Sequence, residues 1–272
     1  MSDAISESHP GAGTTLSRPW GWKIVNVLTF IAVLVVNGTA GAGTLSGESI
    51  GVIANRYVNA FLPANYVFGI WSLIYLGLFA FTIFQALPTQ SADRTVRALG
   101  PLWLWSGVLN MGWIVAFAFS RFVLAMLVMV ALLVVLVQMV ERLHALGRAG
   151  WATRLCATDP MGLYLAWISV AVIANSFQLA HVVGFGGLGL SETVWALTMM
   201  IVATALGWFM VAHRGVWLFP LVVAWALRGI GDRFPDDPVL FTTTQILVPI
   251  GIVGGALMWW DRWRTRRAVV IG

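Results

Sequence analysis

The side chains in this sequence best placed to do chemistry are amides set beside aromatic rings. Phe68, Trp71 and Tyr75 fall at i, i+3 and i+7, so a helix puts them on one face; Asn110, Trp113 and Phe117 repeat that spacing. Tyr164, Trp167, Ala171, Asn175 and Gln178 lie within an arc of about 80°, at about 100° per residue. An amide in hydrocarbon is costly unless it meets a partner, so these faces point into a bundle. Two readings stay open from the residues alone. Asn110 and Asn175 are interhelical glue worth about 0.6–2 kcal/mol each, with the rings as packing. Alternatively, the stripes wall a small-molecule pocket, which is usually built of flat apolar surfaces with a few polar groups.

Other chemistry finds little support. His9, His144, His181 and His213 lack metal-ligand spacing, and no Ser/His/Asp or paired-carboxylate arrangement stands out, so neither a metal site nor a catalytic set is assigned. His181, near a helix end, reads as an interfacial histidine rather than a haem ligand. Gly184, Gly186 and Gly189 fit a dinucleotide-binding pattern, but they follow an apolar helix rather than a strand and read as a turn. The single cysteine, Cys156, excludes an internal disulfide. Glu141 and Arg142 sit at a helix end, where long charged side chains snorkel.

The elements that must position these stripes are membrane helices. Of 272 residues, 59% are hydrophobic and only 10% charged, too few to cover a water-soluble protein of this size. Apolar runs predict an all-α integral membrane protein of about eight spans. They cover Trp22–Ala40, Tyr66–Leu87, Pro101–Phe119, Phe122–Leu143, Met161–His181, Glu192–His213, Gly215–Gly229 and Val239–Trp260. The seventh is short and carries Pro220 and Arg228. With eight spans, the ends and even-numbered links hold Arg18, Lys23, Arg94, Arg97, Arg142, Arg148, Arg154, Arg214, Arg262, Arg264, Arg266 and Arg267. The opposite side holds Arg56, Arg121, Arg228 and Arg233. That bias predicts cytoplasmic N- and C-termini, and cations so arranged set topology rather than bind nucleic acid. Residues 1–19 are expected to be a disordered cytoplasmic tail. Cleavage near Ala40-Gly41-Ala42 is the alternative to a retained first helix. Within the Gly41–Asn65 link, Ser49–Leu62 reads either as a short interfacial helix over the bundle mouth or as a solvated loop.

The same residues carry a family resemblance. Leu62-Pro63-Ala64-Asn65-Tyr66-Val67-Phe68-Gly69-Ile70-Trp71-Ser72-Leu73-Ile74-Tyr75 resembles the loop and second-helix signature of the TspO/MBR family, the tryptophan-rich sensory proteins and the mitochondrial translocator protein. Leu109-Asn110 with Trp113 and Phe117 resembles its third-helix signature, and Tyr164-Leu165-Ala166-Trp167 with Ala171 and Asn175 its fifth. Ala64 stands where the family has a second proline, and one residue fewer separates Phe68 from Trp71. Three further spans follow the usual five. The chain is thus similar to a long, divergent member.

The resemblance implies a five-helix bundle over residues 20–185 with an internal cavity capped by the first link. Three added helices (186–260) and a basic cytoplasmic tail (261–272) follow. Carried-over ligand-binding positions are Trp71, Tyr75, Asn110, Trp113, Tyr164, Trp167, Ala171 and Asn175. It implies a receptor or carrier in a bacterial inner membrane, sensing or translocating flat hydrophobic ligands of tetrapyrrole, sterol or lipid type. A porphyrin or haem-like molecule is the candidate ligand, with no certain cofactor. Membrane lipid and a small hydrophobic molecule are the expected partners, with a homodimer left open and no nucleic acid. A membrane enzyme modifying a tetrapyrrole or lipid, and an accessory subunit without ligand, are the alternatives; no catalytic residue is assigned for the first.

Overall fold

Long apolar runs with no lipid-facing polar backbone can only be satisfied as helices, whose hydrogen bonds close within each segment. The computed structural model describes residues 19–147 and 149–271, the last six as backbone only, and among them there is no strand. The N-terminal tail and Arg148 therefore lie outside the described residues, as do the side chains of Arg266 and Arg267.

Helix α1 (Trp20–Gly41) is followed by the short α2 (Ile50–Ala54) and by a 3-10 turn, Asn65–Gly69, that runs into α3 (Ile70–Ala86). Then come α4 (Gln90–Leu99), α5 (Leu102–Ala118) and α6 (Phe122–Ala145). The turn α7 (Trp151–Thr153) passes through a π-turn at Arg154–Thr158 into α8 (Asp159–Val182). Helices α9 (Glu192–Arg214), α10 (Phe219–Arg233) and α11 (Pro238–Ile271) complete the chain. Side-chain oxygens of Ser49, Thr89 and Ser191 cap α2, α4 and α9.

Among the described residues, six helices are long and apolar enough to span a bilayer, seven if α4 and α5, bent by 55° at their joint, count as one. The expected seventh span, Gly215–Gly229, becomes α10 of 15 residues, about 22 Å long at about 1.5 Å rise. That falls short of an apolar core about 30 Å thick, which is why α10 is not among the six. Other segments differ from the sequence reading in extent. The link after Pro88 contains α4, an amphipathic helix burying Ala92, Val96 and Leu99. Pro160 lies inside the fifth span's helix rather than before it, in the first turn of α8 directly after the π-turn. The last helix continues beyond Trp260 to Ile271. Of the link between the first two spans, Ile50–Ala54 is helical and the rest largely irregular.

Helix α8 is the axis, packed against α3, α6 and α10; α5 joins α1 to α6, and α11 packs on α9 and α10. The span that contains α8, Trp151–Val182, is 56% buried over its apolar stretch, more than any of the other five helices long enough to cross. Small residues set the crossings. A Cβ on Gly107 of α5 would lie 2.2 Å from Thr29 Cγ2 of α1, so only glycine permits that approach. At the Lys23 end, buried polar groups tie α1, α3, α4 and α5 together. Lys23 pairs with Asp93 at 2.7 Å, Asn26 donates to Gln85 at 2.9 Å, and the Trp103 indole donates to the Asn26 carbonyl at 3.1 Å.

Candidate functional site

The aromatic stripes of α3, α5 and α8 converge because all three helices turn their mixed faces toward one another. Trp71 is the hub. Its ring stacks on Trp113 (centroids 5.7 Å apart, planes 23°) and on Tyr75 (5.6 Å, 22°), and meets Trp167 edge-on (6.4 Å, 86°). Phe68 in turn meets Trp167 edge-on at 6.3 Å. Offset and T-shaped contacts of this kind hold rings in fixed planes.

These rings wall an internal cavity of about 550 Å³. Its size falls within the range of about 300–1,000 Å³ common to small-molecule sites. Of the eight positions expected at a pocket, six line it: Trp71, Tyr75, Trp113, Trp167, Ala171 and Asn175. None of the lining residues is charged.

Asn110 and Tyr164 sit behind the wall instead. Asn37 of α1 donates to Asn110 Oδ1 at 2.7 Å, and Asn110 Nδ2 donates to the Tyr164 hydroxyl at 2.9 Å. This relay crosses α1, α5 and α8, with Asn110 1% exposed and Tyr164 3%. Asn110 is therefore occupied as interhelical glue. Asn175 donates only within its own helix, to the Ala171 carbonyl at 2.9 Å, and faces the cavity. Of the two readings open at the sequence level, Asn110 follows one and Asn175 fits the other.

Polar groups at the wall are few and partly unpaired. The indole N–H groups of Trp113 and Trp167 and the Gln178 amide nitrogen are buried and have no acceptor among the described residues. All three residues line the cavity. An unpaired buried donor costs about 1–3 kcal/mol, so three around one hollow are a feature to be accounted for.

The link after α1 closes one end. Asn59, Phe61, Leu62 and Pro63 line the cavity from above, and α10 contributes Ala226 and Ile230. The added helices also hold the link down. Ala64 N–H donates to the Gly229 carbonyl at 2.9 Å, and the Trp225 indole donates to the Val67 carbonyl at 3.1 Å. Arg233 donates to Asn55 Oδ1 at 2.7 Å, and Tyr66 donates to Asp232 at 2.7 Å. From α9, the Glu192 carboxylate accepts the Ala60 N–H at 2.5 Å. A Cβ on Gly229 would stand 2.0 Å from Val67 Cγ2, so glycine is what lets α10 reach the link. Helix α10 thus helps to complete the cavity, and α9 helps to hold its cover.

Sequence reasoning missed Asn37, Asn59, Phe61, Ala226 and Ile230. Asn37 shared with Asn110 only its place in an apolar run; Ala40 and Thr44 stand at i+3 and i+7, where Asn110 has Trp113 and Phe117. Ala226 and Ile230 gave no signal, because ordinary apolar residues in a helix without an aromatic stripe look like packing.

In comparisons with known proteins, the model of one family, described as TSPO-like protein, matches residues 23–258. No curated protein and no solved structure matches the chain.

Proposed function

Because the chain belongs to the TSPO-like protein family, we propose that this integral membrane protein is a receptor or carrier for a flat, hydrophobic molecule with an oxygen-bearing edge. A tetrapyrrole such as a porphyrin is the leading candidate. The observation that carries this reading is the hollow of about 550 Å³ between Trp71, Trp113 and Trp167, with three N–H donors that have no acceptor among the described residues. Ring faces suit a planar π-system, and the donors suit carboxylate or carbonyl oxygens. With no charge at the wall, binding rests on burial of apolar surface, and the few polar groups set orientation.

Carried-over binding roles go to Trp71, Tyr75, Trp113, Trp167, Ala171 and Asn175, with Gln178 added as a donor. Asn110 and Tyr164 act by holding the wall. Sensing and translocation both use this site. In this reading both termini lie in the cytoplasm of a bacterial inner membrane, with the link-covered mouth on the opposite side; the cation excess supports that orientation when α10 is counted as a short eighth span.

The test is quenching of Trp fluorescence by protoporphyrin IX in mild detergent. A saturable curve is expected for the wild type, with affinity weakened at least about tenfold in the Trp167→Ala, Asn175→Ala double variant. Equal affinity in wild type and variant overturns the proposed pocket.

A further inference from the structure

A second hollow lies on the far side of α8. It measures about 810 Å³ and is enclosed by α8, α9 and the glycine turn between them. Its body is apolar, formed by Ile173, Phe177, Trp195 and Met199. Polar groups gather at one end, where His181 Nδ1 stands 3.8 Å from Glu192 Oε2. Both flanking helices are long enough to span. Ile173, Ser176 and Phe177 of α8 and Met199 of α9, all lining it, are partly exposed, and Phe185 in the turn is 51% exposed, so this space opens between two spans rather than being sealed in the core.

The two hollows meet at one pair of rings. Phe61 of the link lines the inner cavity, Phe177 of α8 lines the outer one, and the rings stack at 5.4 Å with planes 22° apart. Both chambers also reach the same strap. Glu192, at the polar end of the outer hollow, accepts the N–H of Ala60, the residue before Phe61.

We propose that the outer hollow is a lateral access site, through which the apolar ligand of the inner cavity arrives from the bilayer, with Phe61 and Phe177 as the partition it passes. The inference rests on the reading of the inner cavity given above. A flat apolar molecule partitions into lipid, and an opening between α8 and α9 meets it there without a passage through water. A ring N–H of His181 meets its oxygen-bearing edge near the membrane surface, while Phe177 and Trp195 take its ring faces. Passage needs the Phe61–Phe177 stack to part, and Glu192 holds the link segment that carries Phe61.

An access route has a kinetic signature that a binding wall lacks. Obstruction slows arrival and departure equally and leaves the equilibrium constant alone. The experiment places the full chain in phosphatidylcholine nanodiscs and follows stopped-flow Trp quenching by protoporphyrin IX. Ser176→Phe fills the outer hollow from α8 and Met199→Trp fills it from α9; neither residue lines the inner cavity. Both variants are expected to lower kon and koff together by at least about tenfold with Kd unchanged. Phe177→Leu, which thins the partition, is expected to raise both. Wild-type rates in the two filled variants overturn the lateral route while leaving the inner site standing. A changed Kd carried by koff alone also overturns it. Absence of saturable quenching in the wild type overturns the inner-cavity reading, and the access role with it.

Discussion

Replacing Asn110 by alanine separates scaffold from site. The side chain accepts from Asn37 and donates to Tyr164, joining α1, α5 and α8 behind the aromatic wall. Interhelical hydrogen bonds within membranes average about 0.6 kcal/mol and reach about 1.7, so losing two costs about 1–3 kcal/mol. Asn37 keeps its bond to the Val33 carbonyl at 2.9 Å, which holds the loss toward the lower end. The Tyr164 hydroxyl loses the Asn110 donor in a site that is 3% exposed, which pushes it up. Unfolding of the purified protein in mixed micelles, followed by far-UV circular dichroism, should show a loss of that size. Protoporphyrin affinity should change less than about threefold, because Asn110 does not line the cavity. Wild-type stability combined with a tenfold loss of affinity would refute the assignment, since it would mean that Asn110 meets ligand rather than helices.

Further outcomes follow from the same geometry. Gly229→Ala places a methyl group 2.0 Å from Val67 Cγ2. It should push α10 off the link, cost about 1–3 kcal/mol of stability and increase proteolysis between Ser49 and Asn65. Gly107→Val, at the 2.2 Å approach to Thr29, should destabilise by about 1–3 kcal/mol or more without altering ligand preference, as read by thermal unfolding and quenching together. Lys23→Met removes the 2.7 Å ion pair to Asp93 and should destabilise the packing of α1 on α4, as read by thermal unfolding; Lys23→Met with Asp93→Leu should recover part of that loss. A double variant as unstable as the single one would show that the ion pair is not what holds α1 to α4.

The site was only partly legible because its parts differ in kind. Trp71, Tyr75, Trp113 and Trp167 announced themselves through helical spacing, which fixes a face before any partner is known. Asn110 and Asn175 looked alike from their positions, each an amide beside an indole. They part company because Asn37 lies within reach of Asn110, whereas Asn175 bonds only backward along its own helix. Residues with no intrinsic signal, such as Ala226 and Ile230, became lining because α10 lies against the link.

Composition and periodicity determined on their own that the chain lives in lipid, that it is helical, and which faces of α3, α5 and α8 turn inward. These depend on solvent preference and on the fixed pitch of a helix, both local properties. Only the tertiary structure decided that a hollow remains among those faces, that α10 and the link close it, and that a second space lies beyond Phe61 and Phe177. Voids and strap contacts arise from how far apart packed backbones stand, and that distance is set jointly by residues remote in the chain, such as Gly229 against Val67.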